Sequence, residues 1–121
     1  MDLKYERQMK KGVYEMLVLH LLQEKEKYGY QLISEMKERS GEMFTLKEGT
    51  LYPILYRLEE DGCVVSRWSQ PKDREVSRKY YAITDIGKQT LAGMTAFWGA
   101  FSETINTVLE KRQETEKETE E

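Results

Sequence analysis

As a pattern of apolar and polar positions, the chain divides into three helices, a hairpin and one long helix, with no internal repeat. Between Met9 and Gln23, the residues Val13, Met16, Leu17, Leu19, Leu21 and Leu22 are too dense for a helix with one wet face. This segment is expected to be a central helix covered on more than one side. Glu24-Lys25-Glu26-Lys27 reads as a polar connector. Leu32, Ile33 and Met36 predict a second helix over Tyr28 to Arg39, stopped by Ser40-Gly41. Thr50 suits the N-cap of a third, with Pro53 in the first turn, where its missing N–H costs nothing. Leu51, Ile54, Leu55 and Leu58 then fall at i, i+3, i+4 and i+7, one buried stripe, opposite Tyr52, Tyr56, Arg57 and Glu60. Asp61-Gly62 ends that helix.

Cys63 to Trp68 and Val76 to Ile83 are rich in β-branched and aromatic residues, with the polar stretch Ser69 to Glu75 between them. They predict two strands of a hairpin whose loop is longer than a tight turn requires. Thr84-Asp85 supplies a cap and a first-turn acid for a last helix running to about Lys111. There Leu91, Met94, Trp98, Phe101, Ile105 and Val108 are spaced 3, 4, 3, 4, 3, the seam of a coiled coil, widened by Phe97 and Leu109. Some 26 helical residues span about 39 Å, more than three short helices can cover. The seam is therefore expected to pair with a second copy; the alternative is packing within its own chain.

Composition narrows the function classes. With 121 residues, 39% apolar and 34% charged, the chain has enough for one small core and little apolar surplus. No run is long enough to cross a bilayer. The charged N-terminus does not read as a secretory signal, and a reducing cytoplasm is the natural expectation. The one cysteine, Cys63, excludes an internal disulfide and a multi-thiolate metal cage. His20 is the only histidine and sits among apolar residues. No phosphate loop, nucleophile elbow or metal-ligand spacing is present, so no catalytic residue, metal or cofactor is assigned. The net charge of −3 arises entirely in residues 110–121, whereas Arg67 to Lys88 holds six bases against three acids. A basic cluster inside a neutral domain suits contact with a polyanion.

Three helices followed by a two-stranded hairpin form the order of a winged helix-turn-helix, a mostly α, α+β fold with a three-helix core, a β-hairpin wing and here a long C-terminal dimerisation helix. In that fold the third helix enters the major groove of double-stranded DNA and the wing reaches the flanking backbone. The candidate contacts are Lys47, Thr50, Tyr52, Tyr56 and Arg57 at or on the solvent side of the third helix, with Lys72, Arg74, Arg78 and Lys79 in the hairpin. Tyr52 and Tyr56 equally suit half-buried packing, and Lys79 the wet side of a strand. The domains expected are 1–83 for DNA binding, 84–111 for dimerisation and 112–121, a fraying acidic helix end with no assigned function.

Three blocks carry a family resemblance: Tyr28-Gly29-Tyr30-Gln31-Leu32, Gly49 to Glu59 with Asp61-Gly62, and Arg78 to Thr84 with Gly87. Together they resemble the PadR family of bacterial transcriptional regulators over nearly the whole chain, in its short subgroup with a single C-terminal helix. The resemblance implies a winged-helix repressor, dimeric through its last helix, that binds an inverted repeat and is often released by a small molecule. The wing departs from the family in lacking a glycine-rich, arginine-rich tip.

In a multidrug-binding member of that subgroup, a tryptophan eleven residues after the glycine matched by Gly87 sandwiches flat aromatic drugs across the dimer axis. Trp98 keeps that spacing. Met9, Met16 and His20, at i, i+7 and i+11 of one expected helix, would line the same cavity with it; filling the dimer core is the alternative. A winged helix repurposed for protein binding and a small-molecule sensor without DNA binding are the rival functions.

Overall fold

The computed structural model describes residues 1–72 and 75–120, with side chains described through residue 110. Two compact units divide the chain, Met1–Leu91 and Ala92–Glu121. The first begins with α1 (Leu3–Lys11), capped where the Asp2 carboxylate accepts from the Lys4 N–H at 2.9 Å. It buries none of its residues.

The expected helix from Met9 to Gln23 is two. At Gly12-Val13 the chain tightens, with the Val13 N–H donating to the Lys10 carbonyl, and α2 (Tyr14–Glu24) starts afresh. Glycine's helix cost permits the break. It places Met9 on α1 and Met16 with His20 on α2, so the three do not share one helix face. The central role holds for α2: Val18, Leu19, Leu21 and Leu22 are buried, and it packs against the next two helices and the sheet.

The supposed connector contains a strand. β1 (Lys27–Tyr28) leads into α3 (Gly29–Arg39), and after a turn through Gly41 and Glu42 comes α4 (Glu48–Glu60). The stripe of Leu51, Ile54, Leu55 and Leu58 is buried. Gly62, at φ +77°, closes α4 with the Cys63 N–H on the Leu58 carbonyl and its own N–H on Glu59, a double bond pattern that needs the left-handed residue. β2 (Val64–Trp68) and β3 (Lys79–Ile83) form the hairpin, and the antiparallel sheet runs β1-β3-β2, with Lys27 opposite Tyr81 and Trp68 opposite Lys79.

β3 starts three residues later than the sequence suggests. The Ser69 N–H still donates to the Arg78 carbonyl. Beside that one backbone bond the Ser69 hydroxyl takes the Arg78 N–H and the Ser77 hydroxyl donates to the Ser69 carbonyl, so side chains help close the base of the loop where a longer ladder was expected. Lys27 is wholly buried, its ammonium 2.7 Å from Glu35 of α3, which ties β1 to the helix it precedes.

Thr84 caps α5 (Asp85–Glu120) by accepting from the Gly87 N–H, and its hydroxyl donates to the Gly62 carbonyl. The backbone stays helical past Lys111 to Glu120.

Candidate nucleic-acid interface

The first turn of α4 opens earlier than expected. Lys47, not Thr50, is its N-cap, and its side chain makes no capping bond. Thr50 therefore lies inside the first turn, and Pro53 is within the helix, where its ring leaves the Gly49 carbonyl without the usual donor. Lys47, Glu48 and Thr50 are exposed at this open end.

Behind it lies a groove of about 610 Å³ walled by the starts of α3 and α4 and by the root of the wing. Tyr52 closes its floor by lying across Gly29: a Cβ there would meet the Tyr52 Oη at 2.5 Å, so α3 must begin with glycine for this phenol to fit. Tyr56, 6.1 Å from Tyr52 between ring centres, continues the wall. The wing supplies the cations. The Arg78 guanidinium lies 4.6 Å from the centre of the Tyr28 ring and donates to its Oη at 3.2 Å. The Lys79 ammonium is 5.5 Å from the centre of the Tyr56 ring and 5.4 Å from that of Tyr81. Burial works against the Lys79 charge, but the Tyr81 phenol and the field of Glu59 outweigh it and raise the ammonium above its ordinary value. Its positive charge is secure at neutral pH.

Tyr52, Tyr56, Arg78 and Lys79 are thus brought to one groove, while the other candidates are distributed elsewhere. Arg57 turns to α2 and pairs with Glu15 at 3.1 Å. Together with Thr50 it lines a separate hollow of about 350 Å³ beside Lys11 and Tyr14. Lys47 meets no acid among the described residues. Lys72 is exposed on the wing loop, and Arg74 lies outside the described residues. Arg67, counted in the basic cluster, is held by both oxygens of Glu26 and stacks on Tyr80.

Sequence reasoning missed Tyr28, Tyr30, Glu48, Trp68 and Ser77, which also line the groove. Only Trp68 left a signal, as a large aromatic on the wet side of a strand next to a basic loop.

The seam residues differ among themselves. Leu91 is buried in the first unit and is not available to a second chain. Met94 is half-buried, while Trp98, Phe101, Ile105 and Val108 are exposed. The Phe101 ring stacks on Phe97 at 5.4 Å and leans on Trp98 at 6.2 Å. Of the residues proposed for an effector, His20 lines an apolar cleft of about 340 Å³ with Leu17, Met36 and Phe44, to which neither Met9 nor Met16 contributes. Among the described residues no three His, Cys, Asp or Glu side chains gather as a metal site, and no helix is long and apolar enough to cross a membrane.

The profile of the Transcriptional regulator PadR-like family matches residues 18–93, which contain this groove and the core beneath it. The chain belongs to that family. The negative transcriptional regulator PadR of Bacillus subtilis is 34% identical over 74 residues, 61% of this chain and 40% of that protein. Among solved structures, a transcriptional regulator from Clostridium thermocellum superposes with a TM-score of 0.76 at 29% identity, covering 83% of this chain and 93% of that one. The B. subtilis PadR in complex with operator DNA gives 0.62 at 31% identity, covering 69% of this chain and 46% of that one. As in other PadR-like regulators, the structure is a mostly helical winged helix-turn-helix with a small antiparallel sheet.

Proposed function

We propose that the protein is a homodimeric, sequence-specific repressor that reads a palindromic operator with two copies of α4. The observation that carries this is the convergence of Arg78, Lys79, Tyr52 and Tyr56 on one groove beside the exposed start of α4. Positively charged wing residues neutralise backbone phosphates, and hydroxyls at a helix start reach phosphate or base edges. The operator complex of the B. subtilis relative supports the same use of the fold. A dimer would set its two reading helices about 34 Å apart, one turn of DNA. Trp98, Phe101, Ile105 and Val108 are the surface proposed to join the copies, residues 84–111 serving as the dimerisation segment. A planar aromatic effector seated against Trp98 would release the operator by favouring another spacing, with coupling of about 1–3 kcal/mol. No catalytic role is proposed.

Fluorescence anisotropy on DNA from upstream of the protein's own gene tests the reading. The wild type should bind with steep salt dependence. Arg78→Ala with Lys79→Ala should lower the slope of log affinity against log salt by about 0.9 for each phosphate contact removed. An unchanged slope takes the wing out of the interface.

A further inference from the structure

Among the described residues that line the groove, Glu48 is the one acidic side chain. It is the first residue of α4, exposed, and among the described residues it forms no ion pair, although Arg78 and Lys79 line the same space. Those two cations are engaged instead with the rings of Tyr28, Tyr56 and Tyr81.

A carboxylate in a first turn gains from the positive end of the helix. That explains an acid here, but not one left unpaired where a polyanion arrives. DNA carries a negative charge about every 1.7 Å of its axis and repels a carboxylate placed against its backbone. The groove edges of the bases offer it one favourable partner, an exocyclic amine. In the major groove a cytosine N4 amine is what a glutamate accepts from, whereas adenine sets its N7 acceptor beside its amine.

We propose that Glu48 is a base-reading residue, its carboxylate accepting a hydrogen bond from the N4 amine of a cytosine in each half-site. This rests on the reading of α4 as the helix that enters the major groove. It adds a source of specificity distinct from the candidate contacts, which favour phosphate or donate hydrogen bonds: Glu48 selects one base by accepting and penalises the others by repulsion. Its position at the tip of α4 gives it the reach, and among the described residues no salt bridge engages its carboxylate.

The test is selection of binding sequences from a randomised duplex pool by the full chain, comparing wild type, Glu48→Gln and Glu48→Ala. Thermal melting of each variant checks folding. The wild type should enrich a cytosine at one position of each half-site. Glu48→Gln should exchange it for adenine, whose N6 and N7 suit a glutamine amide. Glu48→Ala should lose discrimination at that position alone, by roughly 5- to 150-fold, and should bind unselected DNA more tightly than the wild type. Variants that enrich the wild-type sequence with undiminished strength overturn the assignment while leaving DNA reading intact. A loss of preference spread evenly over all positions also overturns it. A wild type that enriches nothing removes the DNA-reading role of α4, and the assignment falls with it.

Discussion

A one-faced apolar helical stripe has opposite outcomes in the two units of this chain. On α4, Leu51 and Leu55 are fully buried and Ile54 and Leu58 are each 3% exposed. On α5, Trp98, Phe101 and Ile105 are 44, 45 and 41% exposed, and Val108 is 63%. Each stripe keeps to one helix face, at i, i+3, i+4 and i+7 on α4 and at i, i+3, i+7 and i+10 on α5. What differs is company: α4 is faced by α2, α3 and β2 within its own unit, while the α5 strip lies in the unit from Ala92 on. Periodicity reports that a surface needs covering. It does not report whether the cover comes from the same chain, and this exposed aromatic strip is the surface that the proposed dimer would cover.

The largest effect that would break this contrast is on association. Changing Trp98 and Phe101 to Ser in every copy removes the two aromatic anchors of the proposed interface. Buried aromatic anchors contribute about 1–2 kcal/mol or more apiece, so a symmetric dimer should lose roughly 4–8 kcal/mol. Sedimentation velocity at micromolar concentration should show dimer for the wild type and monomer for the variant, with far-UV circular dichroism unchanged for the first unit. A variant that still sediments as a dimer would place the interface elsewhere.

The complementary change is Leu55→Ala. It opens a cavity in the core of the first unit and should cost about 2–5 kcal/mol of folding stability, read from urea unfolding. At concentrations and temperatures where the variant remains folded, its sedimentation should match the wild type. If Leu55→Ala dissociates the dimer as fully as the Trp98 and Phe101 changes do, the two units are not energetically separate and the contrast collapses.

How far the sequence could be read follows the same line. The α4 stripe, the closing turn at Gly62, the cap at Thr84 and the hairpin were legible because each is set by neighbours a few residues away. β1 was not. Lys27 and Tyr28 form a strand only because β3 supplies the ladder, and Lys27 is buried where Glu35 and Glu24 answer its charge from two helices. The break at Gly12 was masked by the apolar density around it. The groove was half legible: Tyr52, Tyr56, Arg78 and Lys79 were candidates from charge and helix face. Glu48, Tyr28 and Trp68 were missed because four separate segments assemble the wall. Arg57 was assigned to the DNA face by helix position alone, and Glu15, 42 residues away, draws it aside.

The smallest effect sharpens the contrast from the side of charge. Glu24 at the end of α2 is held down to about 2 from the ordinary 4.5, first by the hydrogen bonds from Arg39, which outweigh desolvation, and further by the charge of Lys27. A carboxyl whose folded value lies below its unfolded one contributes stability above the unfolded value and loses it as the pH falls through the folded one. Its contribution is therefore complete above about pH 4.5 and fades between there and about pH 2. The pair is exposed, so water and salt screen it. Thermal midpoints of wild type and Glu24→Gln should differ slightly at neutral pH and converge as the pH drops through that window, and added salt should narrow the gap. Because Glu24 and Arg39 both belong to the first unit, the association constant of the proposed dimer should not move at neutral pH. A gap that widened toward pH 2, or a shift in association, would mean that Glu24 acts through something other than its ion pair.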